Sequence, residues 1–494
     1  MHLWRIALLL TIMASFSSGA GIQSFLAAVY GKTKPRPVFS VSVTGGGVQA
    51  LQWLFSTPGS SRSLMEGQVP YSRSSLEGYL GGDKPGPTLV SAETASHMSA
   101  VARTRAAQAL LAESGGNLAS LAECNVFGLA CTAALASTSL KKGTHRCHVA
   151  VSEMQQTRLF SLTLEKGRRT REAEDSLCSR LILDALEAAV GGDSSLRFCS
   201  EELSACEVVE RSIAAGAVGA EAALERVRDG GVGHALFVPR GGGGGRGEGG
   251  GGGGDPSSPL DAQFACMEDV QLPRGTLIFP GSFNPLHAGH VELVLAALKS
   301  LRTASASSKP AAEHLNEGMA AHVPVVFEIA AVNVDKPPLG RDEMVSRLQT
   351  LVRSPLLAAA GITNFGVSFT SAPLFVRKSS LFPLCTFVIG ADTMARLVTP
   401  KYYAPATEAA TAAEASHSMI AALATIAERK CSFVVGGRVQ QGKDKDPTKF
   451  DTLHDILRGS GAGTLPTSIT NMFIGIEERD FRADISSSEI RGKG

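Results

Sequence analysis

Charge, tryptophan and long apolar runs are all scarce in this sequence. Its 494 residues include 2 tryptophans, and charged residues make up 19%, against about 25% in an ordinary globular protein. Lys and Arg number 47 and Asp and Glu 46, a net charge of +1. This balance argues against a nucleic-acid-binding module, which carries a basic face. No window of 18 or more apolar residues is present to span a membrane. Collagen, coiled-coil and wholly disordered chains are also excluded.

The cysteines lack the spacing of a disulfide framework or a zinc site. They number nine, an odd count, and no two form a C-x-x-C pair. We therefore expect reduced, mostly buried thiols, no metal site and a cytoplasmic protein.

The first 20 residues resemble a targeting segment in composition, which gives an alternative to a cytoplasmic location. Arg5 precedes an apolar run over 6–14 and then small residues over 15–20. This order is that of a secretory signal, although a hydrophobic first helix has the same composition. Residues 1–21 are therefore predicted to be an apolar extension. If they are a targeting segment, the thiols favour an organelle with a reducing interior.

A glycine tract divides the chain. Twelve of the 14 residues at 241–254 are glycine, and such a segment cannot bury apolar surface, so it predicts a flexible linker over 241–264. We expect one domain over 22–240 and another over 265–494, each folding independently. The second is expected to keep any activity when expressed alone.

Both halves alternate strand-like apolar runs with helical periodicity, which is typical of α/β units on a parallel sheet. In the first half we predict strands at 38–43 and 147–151 and helices at 47–54 and 171–190. The second half has a predicted helix at 290–301 and predicted strands at 276–279, 325–332, 366–369, 386–389, 432–435 and 472–476.

The most informative segment is GSFNPLHAGH at 281–290, which follows a predicted strand and opens a helix. Free N–H groups and the positive end of the helix dipole face such a loop, which suits a phosphate. Gly281 and Gly289 let the backbone approach a ligand closely. His287 and His290 supply two imidazoles that can donate to the charge developing on an attacked phosphorus.

This segment resembles the signature of the HxGH-containing, cytidylyltransferase-like nucleotidyltransferases, in a form closest to nicotinamide/nicotinate mononucleotide adenylyltransferases. Three further segments agree in the family's order: NVDKPPL at 333–339, FVIGADT at 387–393 and DISSSEIR at 484–491. The resemblance implies a Rossmann-like parallel sheet with His287 and His290 as catalytic residues. It assigns the nucleotide and its phosphates to Gly281, Ser282, Phe283, Asn284, Gly289, Lys336, Gly390, Asp392, Ser486, Ser487, Ser488 and Arg491.

The implied reaction is attack by a mononucleotide phosphate on the α-phosphorus of ATP, with release of pyrophosphate. Mg²⁺ would be the cofactor, bound through the ATP phosphates rather than in a protein cage. A CTP-dependent cytidylyltransferase of a phospho-alcohol and a catalytically silent nucleotide-binding scaffold are the alternatives. Relatives often stack the pyridine ring on tryptophan, but Trp4 and Trp53 both lie outside this half. Tyr402 or Tyr403 could take the place of that tryptophan. The alternative is that these tyrosines are buried hydrophobic residues.

The first half carries a second resemblance. SVTGGG at 42–47, PGSS at 58–61, VPYS at 69–72 and KGRRTR at 166–171 resemble, in order, the C-terminal domain of the CinA-like family. That family includes deamidases of nicotinamide mononucleotide. The residues that match its site are Ser42, Thr44, Gly45, Gly46 and Tyr71.

The catalytic pattern of that family is incomplete here. Leu76 replaces the lysine expected five positions after the tyrosine, and Val41 stands where an acid is usual. A serine without a base is a poor nucleophile; Lys141, Lys142 and His145 are the candidate substitutes. We therefore expect a vestigial nucleotide-binding module or one through which the chain forms a homo-oligomer.

Overall fold

The computed structural model describes residues 19–82, 88–138, 142–192, 196–214, 219–241, 258–306, 323–332, 337–403, 411–439, 450–459 and 465–482. The chain forms two compact units. The first contains Met1–Leu110, Ser120–Ala222 and Arg240–Val270, and the second Leu111–Ala119, Ala223–Pro239 and Gln271–Gly494. Each combines helices with a sheet, as the predicted α/β class requires.

This division differs from the predicted one because the units are interleaved along the chain. Ala223–Pro239 falls inside the predicted first domain but belongs to the second unit. Most of the predicted linker, 242–257, lies outside the described residues. Composition shows where a backbone is flexible, but it does not show which sheet the flanking segments join.

Up to residue 213, the chain contains six strands and six helices that the structure describes, besides short 3₁₀ turns at Ser60–Arg62 and Ser200–Glu202. The strands are β1 (Arg36–Thr44), β2 (Leu64–Gln68), β3 (Cys124–Ala134), β4 (His145–Ser152), β5 (Thr157–Leu164) and β6 (Val209–Ile213). The helices are α1 (Gly19–Gly31), α2 (Val48–Ser56), α3 (Arg73–Tyr79), α4 (Ala92–Glu113), α5 (Ser120–Glu123) and α6 (Arg171–Ala189).

The sheet of the first unit is mixed, so the prediction of a parallel sheet there was wrong for three of its five strand pairs. Its strand order is β2-β1-β3-β4-β5-β6. β1 runs parallel to β2 and β3, whereas the β3–β4, β4–β5 and β5–β6 pairs are antiparallel. Since β4 ends at Ser152 and β5 begins at Thr157, the connection is too short for the crossover that parallel strands need.

The next elements lie on either side of the glycine tract: α7 (Ala220–Arg228), β7 (His234–Pro239), α8 (Pro259–Gln263) and β8 (Phe264–Glu268). The strands that follow are β9 (Leu277–Pro280), β10 (Val325–Ala330), β11 (Phe365–Thr370), β12 (Thr386–Gly390), β13 (Ser432–Gly436), β14 (Arg438–Val439), β15 (Phe450–Asp451) and β16 (Phe473–Ile476). The helices are α9 (Ala288–Ala306), α10 (Arg341–Val352), α11 (Pro355–Ala359), α12 (Phe375–Leu381), α13 (Ala391–Leu397), α14 (Ala412–Glu428), α15 (Leu453–Gly459) and α16 (Thr467–Thr470).

The main sheet of the second unit is the predicted parallel one, with an antiparallel addition. Seven of its strands follow the order β16-β13-β12-β9-β10-β11-β7. Six are parallel, while β7 pairs antiparallel with β11, His234 opposite Thr370. β14 and β15 form a separate two-stranded ribbon.

Apolar side chains fill the core of each unit. In the second unit, Phe433 stacks on Phe387 with ring centroids 5.4 Å apart and lies 5.3 Å from Phe473 on the next strand. Complete burial of such a side chain stabilises a fold by about 1.5–3 kcal/mol. These rings pack the neighbouring parallel strands β12, β13 and β16 against one another.

All nine cysteines are free thiols and seven are buried, in agreement with the prediction of reduced, mostly buried cysteines. Among the described helices, none combines the length and apolar character needed to cross a membrane. The predicted extension at 1–21 lies outside the described residues up to residue 18, and α1 begins at Gly19.

Candidate functional site

The 281–290 segment forms a tight turn between β9 and α9. The N–H of Gly281 donates to the carbonyl of Glu328 on β10, 2.9 Å away, and the N–H of His290 donates to the carbonyl of His287, 3.0 Å away. A Cβ on Gly281 would lie 2.6 Å from the ring of Phe283. The predicted close approach at Gly281 is therefore an approach to the protein's own aromatic ring.

Phe283 supports this turn from inside the protein. Its φ is +44°, and its side chain is only 2% exposed. The ring lies 5.2 Å from Phe279, 5.3 Å from Phe327 and 5.2 Å from the His290 ring, centroid to centroid. The side chain predicted to contact the nucleotide is thus packed in the core, and it fixes the position of His290.

The other loop residues differ in exposure. Ser282 and Asn284 are exposed, so their polar side chains face solvent at the mouth of the turn, whereas Gly289 is buried at the start of α9.

The two histidines lie against each other at the first turn of α9. Their rings stack with centroids 3.7 Å apart and an interplanar angle of 27°. The backbone N–H of His287 donates to Nδ1 of His290, 3.3 Å away. Since Nδ1 accepts this bond, the ring proton of His290 resides on Nε2, which is the atom left to donate.

Both imidazoles are uncharged at neutral pH. Burial, with a smaller contribution from the neighbouring His287, lowers the pKa of His290 to about 3. Burial also lowers the pKa of His287, partly opposed by the charge of Glu292. The pair can therefore donate hydrogen bonds to a phosphate without becoming an imidazolium.

The turn lies where the strand order reverses. From β9 the chain proceeds to β10 and β11 on one side, and it then returns to β12 and β13 on the other. In open α/β sheets ligands bind outside the carboxyl ends of strands at such a switch point. β12 pairs with β9 through Thr386–Leu277 and Phe387–Ile278, so Gly390 and Gly281 each lie three residues beyond the last paired position.

Asp392 follows this end of β12, as predicted, in the first turn of α13. Its carboxylate accepts a hydrogen bond from the Nη1 of Arg438, the first residue of β14. Gly390 is paired with Gly436 across β12 and β13. The structure therefore brings the 281–290 turn, Gly390 and Asp392 to one edge of the sheet, and it adds Arg438.

The rest of the predicted site lies outside the described residues: Lys336, Ser486, Ser487, Ser488 and Arg491. The two candidate aromatic platforms differ in environment. Tyr402 is 55% exposed. The hydroxyl of Tyr403 donates to the carbonyl of Leu397, 2.9 Å away, and burial raises its pKa to about 12. Tyr403 thus matches the expectation of a buried tyrosine, whereas Tyr402 is exposed enough for a pyridine ring to stack on it.

Sequence reasoning missed one residue that holds the turn. Arg347 on α10 donates from Nη1 to the carbonyl of Ser282, 3.3 Å away, and also pairs with Glu343. Glu343 and Arg347 are four residues apart, a spacing that reads as an ordinary helix-surface pair. Nothing in the sequence indicates the second contact of the Arg347 guanidinium, with the carbonyl of Ser282.

A buried ion pair supports the turn from the neighbouring strand. Glu328 is fully buried on β10, and its Oε1 accepts from Lys378 of α12 and from the hydroxyl of Thr370, the latter at 2.5 Å. The carbonyl of the same Glu328 holds Gly281. A glutamate within the apolar strand VVFEIA was the available signal.

In the first unit, the predicted vestigial residues do not form an open catalytic group. Ser42 is fully buried on β1. Burial raises the pKa of Tyr79 to about 12, and the Tyr79 hydroxyl donates to the carbonyl of Met98, 3.4 Å away. Leu76, at the position of the expected lysine, packs in an apolar cluster with Leu80 and Met98. Tyr71 is 66% exposed.

The candidate bases are also placed elsewhere. His145 is buried, with its Nδ1 2.7 Å from Oε1 of Glu174, while Lys142 is exposed. Lys141 lies outside the described residues. The hydroxyl of Thr44 donates to the carbonyl of Pro70, 2.9 Å away.

The glycine-rich turn of the first unit holds a carboxylate of the protein itself. Asp175 of α6 accepts from the N–H groups of Gly47, Val48 and Gln49 at 2.8, 3.2 and 3.2 Å. A phosphate at the start of α2 would have to displace it.

Arg171 closes the same region. It donates to the carbonyl of Gly45, 3.1 Å away, and lies 3.5 Å from the hydroxyl of Tyr71. A cleft of about 770 Å³ opens beside these groups. A Cβ on Gly45 would meet the carbonyl of Ala133 at 2.0 Å, and one on Gly46 the side chain of Leu135 at 2.7 Å, so both glycines are required for packing.

No protein-family model and no curated protein matches this sequence. Among solved structures, the competence/damage-inducible protein CihA from Agrobacterium tumefaciens is 19% identical, with a TM-score of 0.27. The match covers 34% of this chain and 94% of that one. A competence-damaged (CinA) superfamily protein from Escherichia coli is 13% identical, with a TM-score of 0.26, over 34% of this chain and 89% of that one.

Proposed function

We propose that the second unit transfers an adenylyl group from ATP to the phosphate of a mononucleotide, with nicotinamide or nicotinate mononucleotide as the acceptor. The observation that carries this proposal is the position of the stacked His287–His290 pair at the switch point of a parallel sheet. The GSFNPLHAGH resemblance supplies the reaction type.

The proposed chemistry is an in-line displacement at the α-phosphorus. A phosphate oxygen of the acceptor forms a bond to that phosphorus while the bond to the bridging oxygen of the β-phosphate breaks, so pyrophosphate leaves. The protein positions two anions that repel each other and stabilises the charge on the transferring group. The uncharged His290 donates from Nε2, and α9 directs its N–H groups toward the same place.

We propose that Mg²⁺ enters with ATP. The residues of the 281–290 turn offer amide, hydroxyl and imidazole groups rather than the oxygen cage of a resident hard cation, and Asp392 is already paired with Arg438. When bound, the ion neutralises phosphate charge.

Pyrophosphate release tests the proposal. The full chain is incubated with Mg²⁺, nicotinamide or nicotinate mononucleotide, and either ATP or CTP; we expect release with ATP. His290→Ala is expected to lower kcat by roughly 10²–10³, the scale for removing one preorganised donor, and His287→Ala to act similarly. His417→Ala, on the exposed surface of α14, is the matched control.

Other outcomes select the alternatives. Turnover of CTP with a phospho-alcohol, and none with the mononucleotides, would identify a cytidylyltransferase. ATP binding without pyrophosphate release would identify a silent nucleotide-binding scaffold. Full activity of His290→Ala would contradict the proposed mechanism.

For the first unit we propose a non-hydrolytic role in ligand supply or in self-association. The buried hydroxyl of Ser42 and the apolar packing of Leu76 support this over deamidation. Deamidation of nicotinamide mononucleotide, measured as ammonia release, would contradict it.

A further inference from the structure

Arg438 is a cationic group at the candidate site that the sequence resemblance does not assign. Gly436 and Gly390 are paired on neighbouring parallel strands, and Arg438 and Asp392 each lie two residues beyond. Their side chains therefore meet at the carboxyl edge of the sheet, where they form an ion pair with side-chain exposures of 32% and 66%.

The backbone before Arg438 is held in place. A Cβ on Gly436 would lie 2.6 Å from Leu293 of α9, and one on Gly437 would lie 2.3 Å from the ring of Phe450. Because these contacts fix the turn, packing as well as attraction to Asp392 holds Arg438 at the carboxyl edge of the sheet.

The ion pair itself is weak enough to be exchanged. Solvent-exposed pairs of this kind contribute little because water screens them. A guanidinium binds phosphate through two parallel hydrogen bonds, and such charge-assisted contacts are stronger than neutral ones. A polyphosphate reaching this edge can thus take the place of the carboxylate.

We propose that Arg438 is an anion-binding residue at this edge of the sheet, held by Asp392 until a polyphosphate displaces the carboxylate. Asp392 is then released to accept hydrogen bonds from hydroxyl groups of the same ligand. The ligand chemistry is a diphosphate or triphosphate chain, either free or as part of a nucleotide. That the chain belongs to ATP rests on the proposed function.

The uncharged histidines leave the charge of an anionic ligand to be balanced by other residues. Since neither imidazole carries a proton charge at neutral pH, the pair offers hydrogen bonds but no cation to a ligand of several negative charges. Arg438 supplies a permanent positive charge at the same edge of the sheet.

Calorimetric titration with inorganic pyrophosphate tests the exchange without requiring turnover. The full chain is compared with Arg438→Gln, Asp392→Asn and the double variant. We expect Arg438→Gln to weaken pyrophosphate binding about tenfold or more, because a hydrogen-bonded charge is lost. Asp392→Asn is expected to tighten it severalfold, and this gain should vanish in the double variant.

Glu77→Gln is the matched control for charge. Glu77 forms an exposed pair with Arg73 in the first unit, its Oε1 3.9 Å from Nη1, and its replacement changes the net charge as Asp392→Asn does. An unchanged affinity is expected. An equal gain for Asp392→Asn with and without Arg438, or full affinity in Arg438→Gln, would overturn the proposal.

A parallel titration with ATP distinguishes the two sources of the ligand. If ATP is the ligand, Asp392→Asn weakens ATP binding relative to pyrophosphate, because the hydroxyl contact is lost. If the protein catalyses no adenylyl transfer but shows the expected order of pyrophosphate affinities, the proposed function fails and the anion-binding role stands.

Discussion

Lowering the pH from 7 to 5 tests the protonation state of His290. Burial lowers the pKa of His290 to about 3 in the folded protein, whereas the imidazole of an unfolded chain titrates near 6.5. Between these values the unfolded state binds the additional proton, so stability falls as the pH falls. Integrating the proton uptake gives a loss of about 2 kcal/mol at pH 5 relative to pH 7 from this group.

The measurement is the free energy of unfolding in urea at both pH values, for the wild type and for His290→Gln. The variant lacks this penalty, so its stability should fall by about 2 kcal/mol less than that of the wild type. His417→Gln, exposed on α14, is the control. Both tryptophans lie within residues 1–53, so their fluorescence reports on the first half, while far-UV circular dichroism reports on both.

Equal losses in the wild type and His290→Gln would refute this reasoning, since they would mean that folded His290 accepts a proton as readily as the unfolded chain. The pH dependence of adenylyl transfer gives a second test of the protonation state of His290. We expect no fall in kcat between pH 7 and pH 5 from protonation of His290.

Gly281→Ala is expected to lower the free energy of unfolding by about 1–3 kcal/mol and to lower transferase activity, because the new Cβ would lie 2.6 Å from the packed ring of Phe283. Urea unfolding and activity assays measure both effects. Gly340→Ala is the control, since a Cβ there has nothing within 4 Å. Lys378→Met should destabilise the protein by about 3–5 kcal/mol through the unpaired, buried Glu328. Adding Glu328→Gln should restore much of the lost stability, measured by thermal unfolding. If stability does not recover, the buried charge of Glu328 is not the cause of the loss. A fragment of residues 265–494 lacks β7, so the edge of β11 is left unpaired; we expect more aggregation in size-exclusion chromatography than for residues 220–494.

The sequence predicted the six parallel strands of the second unit to within about two residues. The strand predicted at 386–389 is Thr386–Gly390, and that predicted at 432–435 is Ser432–Gly436. Buried parallel strands are short, continuous apolar runs bounded by turn residues, and this pattern is visible without any long-range information. The helix predicted at 290–301 is the middle of Ala288–Ala306.

The contacts that were not predicted join residues far apart in the chain. Asp175 accepts from N–H groups that lie more than 120 positions earlier, and Arg438 pairs with Asp392 across 46 positions. Propensity and periodicity describe neighbours within a few turns, so they carry no signal for such pairs. Pairing of β7 with β11 was missed for the same reason.

The interleaving of the two units has a consequence for how this chain is made and cut. The ribosome releases Ala223–Pro239 of the second unit before Arg240–Val270 of the first. Neither unit is therefore one uninterrupted stretch of polypeptide, and the first waits for residue 270 to be synthesised before it has all of its parts. A protease that cleaves in the glycine tract would not release two whole units. It would leave β7 on a different fragment from the other strands of the second unit's sheet, and the last segment of the first unit on a different fragment from the rest of that unit.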